Sequence, residues 1–178
     1  MVAAQRQLRT SINLWFDDDG DVVSIHTLAF AAYEIFHAIS EHRNPYRRDL
    51  IFDTFLIKDE FRSDWNKLVR RDANFFKHGD RDPEATLNFD PEFSEWFILY
   101  ASVARQLCGM EQISEESLFL WWFQINRPDF LTDAGRTFVA ERIPAANLAS
   151  IRQLTRSQFR KGWQLAKLSG KTPIVELS

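Results

Sequence analysis

One cysteine, six glycines and six prolines in 178 residues leave several classes of protein without their raw material. A lone Cys108 can form neither an intramolecular disulfide nor a Cys-based zinc site, and it suits a reducing compartment. So few glycines, none of them clustered, disfavour a phosphate-cradling loop or a dinucleotide fold, and no Ser-His-Asp elbow motif is present. No run of β-branched residues alternates with period two, so no sheet is expected. The N-terminus lacks the basic-then-apolar order of a signal peptide, because Arg6 and Arg9 interrupt it and Asp17, Asp18 and Asp19 follow. Nor does any stretch approach the roughly 20 uncharged apolar residues that span a bilayer. These absences lead us to expect a cytoplasmic protein with no membrane contact and no nucleotide cofactor.

What is abundant is aromatic. Sixteen Phe, six Trp and three Tyr make up 14% of the chain, within an otherwise ordinary globular balance of 45% hydrophobic and 26% charged residues, so the core should be bulky. The net charge of -3 is unevenly spread. From residue 145 onward six Lys/Arg meet a single acid, Glu176, whereas the first 144 residues carry 16 bases and 24 acids. The basic C-terminal part reads either as a solvated helix face or as a contact for nucleic acid.

Helical periodicity dominates. It predicts helices over about 3–16, 22–40, 58–78, 91–108, 114–127, 132–142 and 146–168. The helix over 22–40 is capped by Asp21 or Ser24 and that over 114–127 by Ser114. The second carries Ile25, Leu28, Ala29, Ala32, Ile35, Phe36 and Ile39 on one core stripe, with His26, Phe30, Tyr33 and His37 beside it. In the third, Phe61, Trp65, Leu68, Val69, Phe75 and Phe76 should face inward. Leu28, Ile35, Leu68, Phe97 and Trp122 are expected to be buried. The fold class is all-α, a single domain over 1–178 built as a bundle of six to seven helices, with a tail at 169–178 that frays.

The most informative segment runs from Arg70 to Pro83. At 100° per residue Arg71, Asn74 and His78 form a polar stripe, extended by Lys67 and Asp64, that ends where a charged loop begins. Arg71-Asp72 followed by His78, with six residues intervening, resembles the motif of the HEPN superfamily of small all-helical proteins, many of them metal-independent ribonucleases. The resemblance implies Arg71, Asn74 and His78 as catalytic residues, with RNA as substrate or partner. His78 would be the general acid/base and Arg71 the cation on the scissile phosphate, in a homodimer that sets two such motifs across one cleft. The segments Val23 to Ala29 and Asn74 to His78 also resemble a group of small bacterial helical proteins, which implies no mechanism. The stripe has a second reading, in which Arg71 and His78 bridge to Asp80 or Asp82 and pin the loop. The corresponding function is a non-catalytic helical protein that binds a protein partner or a small ligand.

The candidate metal ligands are His26, Glu34, His37, His42, His78, Asp80 and Asp82. His26 and His37 lie about 16 Å apart along their helix, too far to share an ion. Glu34 and His37 form a Glu-x-x-His pair, but a di-iron site needs that pair on two helices and only one is present, so no metal and no cofactor are expected. His37 reads instead as a buried residue satisfied by a carbonyl or by Tyr33, and His26 as a core histidine near a helix N-terminus. The apolar run Leu118 to Phe123 is either central to the domain or leaves Trp121 exposed at an interface. The aromatic excess makes a two-fold homodimer the expected assembly, on a face around Trp96, Trp121 or Trp163.

Overall fold

The computed structural model describes residues 2–44, 51–52, 57–81 and 84–170, and every regular element among them is helical. Eight α-helices follow one another: α1 (Val2–Trp15), α2 (Val22–Arg43), α3 (Arg62–Lys77), α4 (Ser94–Leu107), α5 (Ser114–Asn126), α6 (Asp133–Arg142), α7 (Ala145–Arg152) and α8 (Arg156–Leu168), with single 3-10 turns between some of them. The all-α bundle is as expected, with one helix more than the upper count. That helix comes from the segment expected as one element over 146–168. Thr155 interrupts it by capping a new helix: its hydroxyl accepts the Gln158 N–H at 3.2 Å, and the Gln158 side chain accepts the Thr155 N–H at 2.9 Å. This reciprocal capping box satisfies two helix-end donors and outweighs the continuing apolar periodicity.

The chain forms two compact units, residues up to 11 with 21–111, and 12–20 with 112 onward. The first is built on α2, which packs most extensively against α4 and also against α3. Asp21, whose carboxylate accepts the Ser24 N–H at 2.7 Å, starts α2. The buried side chains of α2 are Ile25, His26, Ala29, Phe30, Ala32, Tyr33 and Phe36. The core face is therefore rotated toward the aromatic stripe, and Leu28, Ile35 and Ile39 are only half-buried. Two adjacent apolar stripes satisfy the same periodicity, and contact with Phe97 of α4, 4.9 Å from Phe30, selects the one with the larger rings. By length and composition α2 is apolar enough to cross a membrane, although Glu34 and Glu41 interrupt its uncharged run, and its aromatic face packs inside this unit.

The third helix also differs from expectation. Its buried residues are Val69, Asp72 and Ala73, while Phe61 and Leu68 are more than half exposed and Trp65, Phe75 and Phe76 are half-buried. Trp65 lies at the margin, where its indole N–H donates to the Ile51 carbonyl at 2.8 Å.

In the second unit α5 is central. Leu118, Phe119, Leu120, Trp121, Trp122 and Phe123 are all buried, so the apolar run serves the core on every side and Trp121 is not an exposed interface residue. Glu116, not Ser114, secures the start of α5, its carboxylate accepting the Ile113 N–H at 2.8 Å. The basic residues of α7 and α8 tie this unit together: Arg152 Nε donates to the Ile125 carbonyl at 2.8 Å and Lys167 Nζ to Ser114 Oγ at 2.8 Å. Arg156 lies over the Trp15 ring at 3.5 Å.

Candidate functional site

The stripe read from the sequence exists as a solvent-facing edge of α3. Arg71, Asn74 and His78 are all exposed, as are Lys67 and Asp64, which pair at 3.1 Å. Arg71 Nε donates to Asp72 Oδ1 at 2.7 Å. Its guanidinium is thus matched by the carboxylate of the next residue, which raises its pKa still further and lessens the local attraction for a phosphate. His78 is the residue that ends α3, its N–H on the carbonyls of Asn74 and Phe75, and its ring has no partner among the described residues. The loop-pinning partners expected for this stripe, the Asp80 side chain and Asp82, lie outside the described residues.

Asp72 also acts on a buried histidine. His26, fully buried, has Nδ1 3.3 Å from Ser94 Oγ, and its Nε2 meets no hydrogen-bond partner among the described residues. Four phenylalanine rings surround the imidazole: Phe89 at 5.0 Å, Phe97 at 5.2 Å, Phe76 at 5.8 Å and Phe30 at 6.3 Å. Burial in this cage pushes the His26 pKa down to about 4, and the charge of Asp72 only partly opposes it. His26 is a core histidine, held neutral.

Glu34 and His37 do not converge on a common site. Glu34 sits between Arg70 at 3.7 Å and Lys77 at 3.2 Å, while His37 is half-buried, packed beside Tyr33 and against the Phe52 edge, with Glu41 at 3.9 Å. Among the described residues no three His, Cys, Asp or Glu side chains are grouped to hold an ion.

The second unit carries a different kind of site. A groove of about 260 Å³ runs between α5, α7 and α8, lined by Trp121, Ile125, Ile143, Ile151, Leu154, Phe159, Gly162, Trp163 and Ala166. None of these side chains is ionisable. Trp121, Ile125 and Phe159 form buried walls, whereas Leu154 is 41% exposed. Gly162 opens the groove. It lies inside α8, where glycine costs roughly 0.5–1 kcal/mol relative to alanine, yet a Cβ built on it would meet nothing within 4 Å. No neighbour among the described residues requires its smallness. The periodicity of the sequence does not reveal this site because its residues come from α5, α7 and α8 and, with Ile143 and Leu154, from the connections between helices, although a glycine at mid-helix is a visible signal.

Comparison of the chain with protein-family profiles, with curated proteins and with solved structures finds no match.

Proposed function

We propose that this protein acts by binding a partner through the apolar groove of its second unit. The observation that carries this reading is the wholly non-ionisable lining of a 260 Å³ groove that includes a helical glycine with free space in front of it. Binding sites characteristically combine a concave shape with an apolar lining. A neutral hydrophobic dye such as Nile red should brighten on addition to the protein, and Gly162→Leu, which fills the groove, should abolish most of that gain. The same variant should unfold no earlier than wild type, since leucine favours helix and has room. Dye fluorescence unchanged by Gly162→Leu would remove the groove from consideration.

A second reading keeps the ribonuclease resemblance, and the exposure of Arg71, Asn74 and His78 on one edge supports it. The pairing of Arg71 with Asp72 makes it the weaker of the two. RNA incubated with the protein in EDTA is therefore expected to stay intact. Cleavage lost in both Arg71→Ala and His78→Ala would reverse the ranking.

A further inference from the structure

We propose that the occupant of the groove is the apolar face of an acidic amphipathic helix, a protein segment with large apolar side chains at i, i+3/i+4 and i+7 flanked by Asp and Glu. This identification of the partner's chemistry rests on the binding reading above.

Charge makes the selection. Residues 145–170 contain Arg152, Arg156, Arg160, Lys161 and Lys167 and no acid. Among the described residues Arg152, Arg160 and Lys167 hydrogen-bond only neutral acceptors: the Ile125 carbonyl, the Asn13 carbonyl and Ser114 Oγ. Lys161 makes no ion pair among the described residues. Among the described residues four positive charges thus stand without an ion pair along α7 and α8, two of the helices that form the groove. Arg152 follows the lining residue Ile151, and Lys161 precedes Gly162. Arg160 and Lys167 line an adjoining hollow that shares Trp163 with the groove, and Glu115 is the one carboxylate there.

The apolar surface also continues outward. Helical spacing sets Leu165 beside Lys161 and Gly162, with Leu168 one turn further on. These two leucines are 68% and 86% exposed. An apolar trough on helices that carry cations without an ion pair among the described residues, two of them in the adjoining hollow, fits a helix laid into it, its hydrophobic residues down and its carboxylates at the sides. A second copy docked through the same face would oppose these cations with their own likeness. A nucleic acid would find only the indole N–H groups of Trp121 and Trp163 in the lining to meet its base edges.

The test uses the full chain and synthetic peptides about four turns long, with Leu, Phe and Trp at the stated spacing on a Glu/Ala background, followed by fluorescence anisotropy. The expected result is micromolar binding, weakened about tenfold or more by Gly162→Leu, by Lys161→Glu, and by replacing the peptide's Glu with Lys. Tighter binding of the Lys peptide, or binding of the Glu peptide that Gly162→Leu leaves unchanged, overturns the proposal. So does binding of RNA or of phosphatidylserine vesicles in preference to the peptide, or a dimer by light scattering that Gly162→Leu dissociates. Nile red bound in a Gly162-dependent way with no peptide bound sinks the acidic helix and leaves the groove reading standing. Failure of both probes sinks both.

Discussion

Acidification from above pH 6.5 toward pH 4 should progressively weaken the first unit, and His26→Phe should remove most of that dependence. In the native state His26 titrates at about 4, below its ordinary value of 6.5, because the imidazole is enclosed by four phenylalanines. The unfolded chain therefore binds a proton at a pH where the folded one refuses it. The stabilising contribution of the neutral ring is fully present above about pH 6.5 and is lost as the pH falls through the interval to about 4. At the limit the loss is roughly 3 kcal/mol, since each pH unit between the folded and unfolded values is worth about 1.4 kcal/mol. Phenylalanine matches the cage and cannot be protonated. It leaves Ser94 Oγ without its neighbour, a penalty that is the same at every pH. Urea titrations of both proteins, followed by circular dichroism, would measure the difference and so cancel the carboxylates that also titrate near pH 4. Parallel stability curves for wild type and His26→Phe would refute the assignment.

The largest loss from a single substitution is expected at Trp15. Its side chain is 1% exposed, meets Trp122 edge-on at 5.5 Å and Phe119 at 6.4 Å, and carries the Arg156 guanidinium 3.5 Å above its ring. Trp15→Ala removes these contacts together and leaves a cavity, which should cost about 3–5 kcal/mol. The indole N–H has no hydrogen-bond partner among the described residues. Trp15→Phe should accordingly cost less than half as much, since it keeps a ring beneath Arg156 and leaves no buried acceptor unsatisfied. Denaturation midpoints of the two variants, with Arg156→Ala completing a double-mutant cycle, would separate packing from the cation–ring contact. A loss below about 1 kcal/mol in Trp15→Ala would mean that this ring is not what holds the second unit's core.

Gly162→Leu provides a contrast, because it adds volume where space is open and should not lower stability. The two substitutions together distinguish the part of the second unit that is packed from the part left vacant.

The helices follow from the chain alone. Periodicity of 3.6, turn residues such as Gly20 and Pro128, and the scarcity of glycine are local properties, and α2 and α5 begin within a residue of where they are expected. The break between α7 and α8 is equally local, written in Thr155 and Gln158, but masked by apolar residues that continue across it. Which face each helix buries is settled by its neighbours in space. Leu68 and Asp72 lie one turn apart on α3, and the packed side of the helix took in the aspartate and left the leucine outside. That rotation also brought Asp72, already the neighbour of Arg71 in sequence, close enough to act on His26, a partner that spacing alone could not assign. Trp121 shows the same rule, buried because α5 is covered on all sides rather than because of its own neighbours in sequence. The groove belongs wholly to this second level. Helical periodicity fixes which residues share a stripe, but a cavity is the space left between elements, and only their packing determines where that space falls.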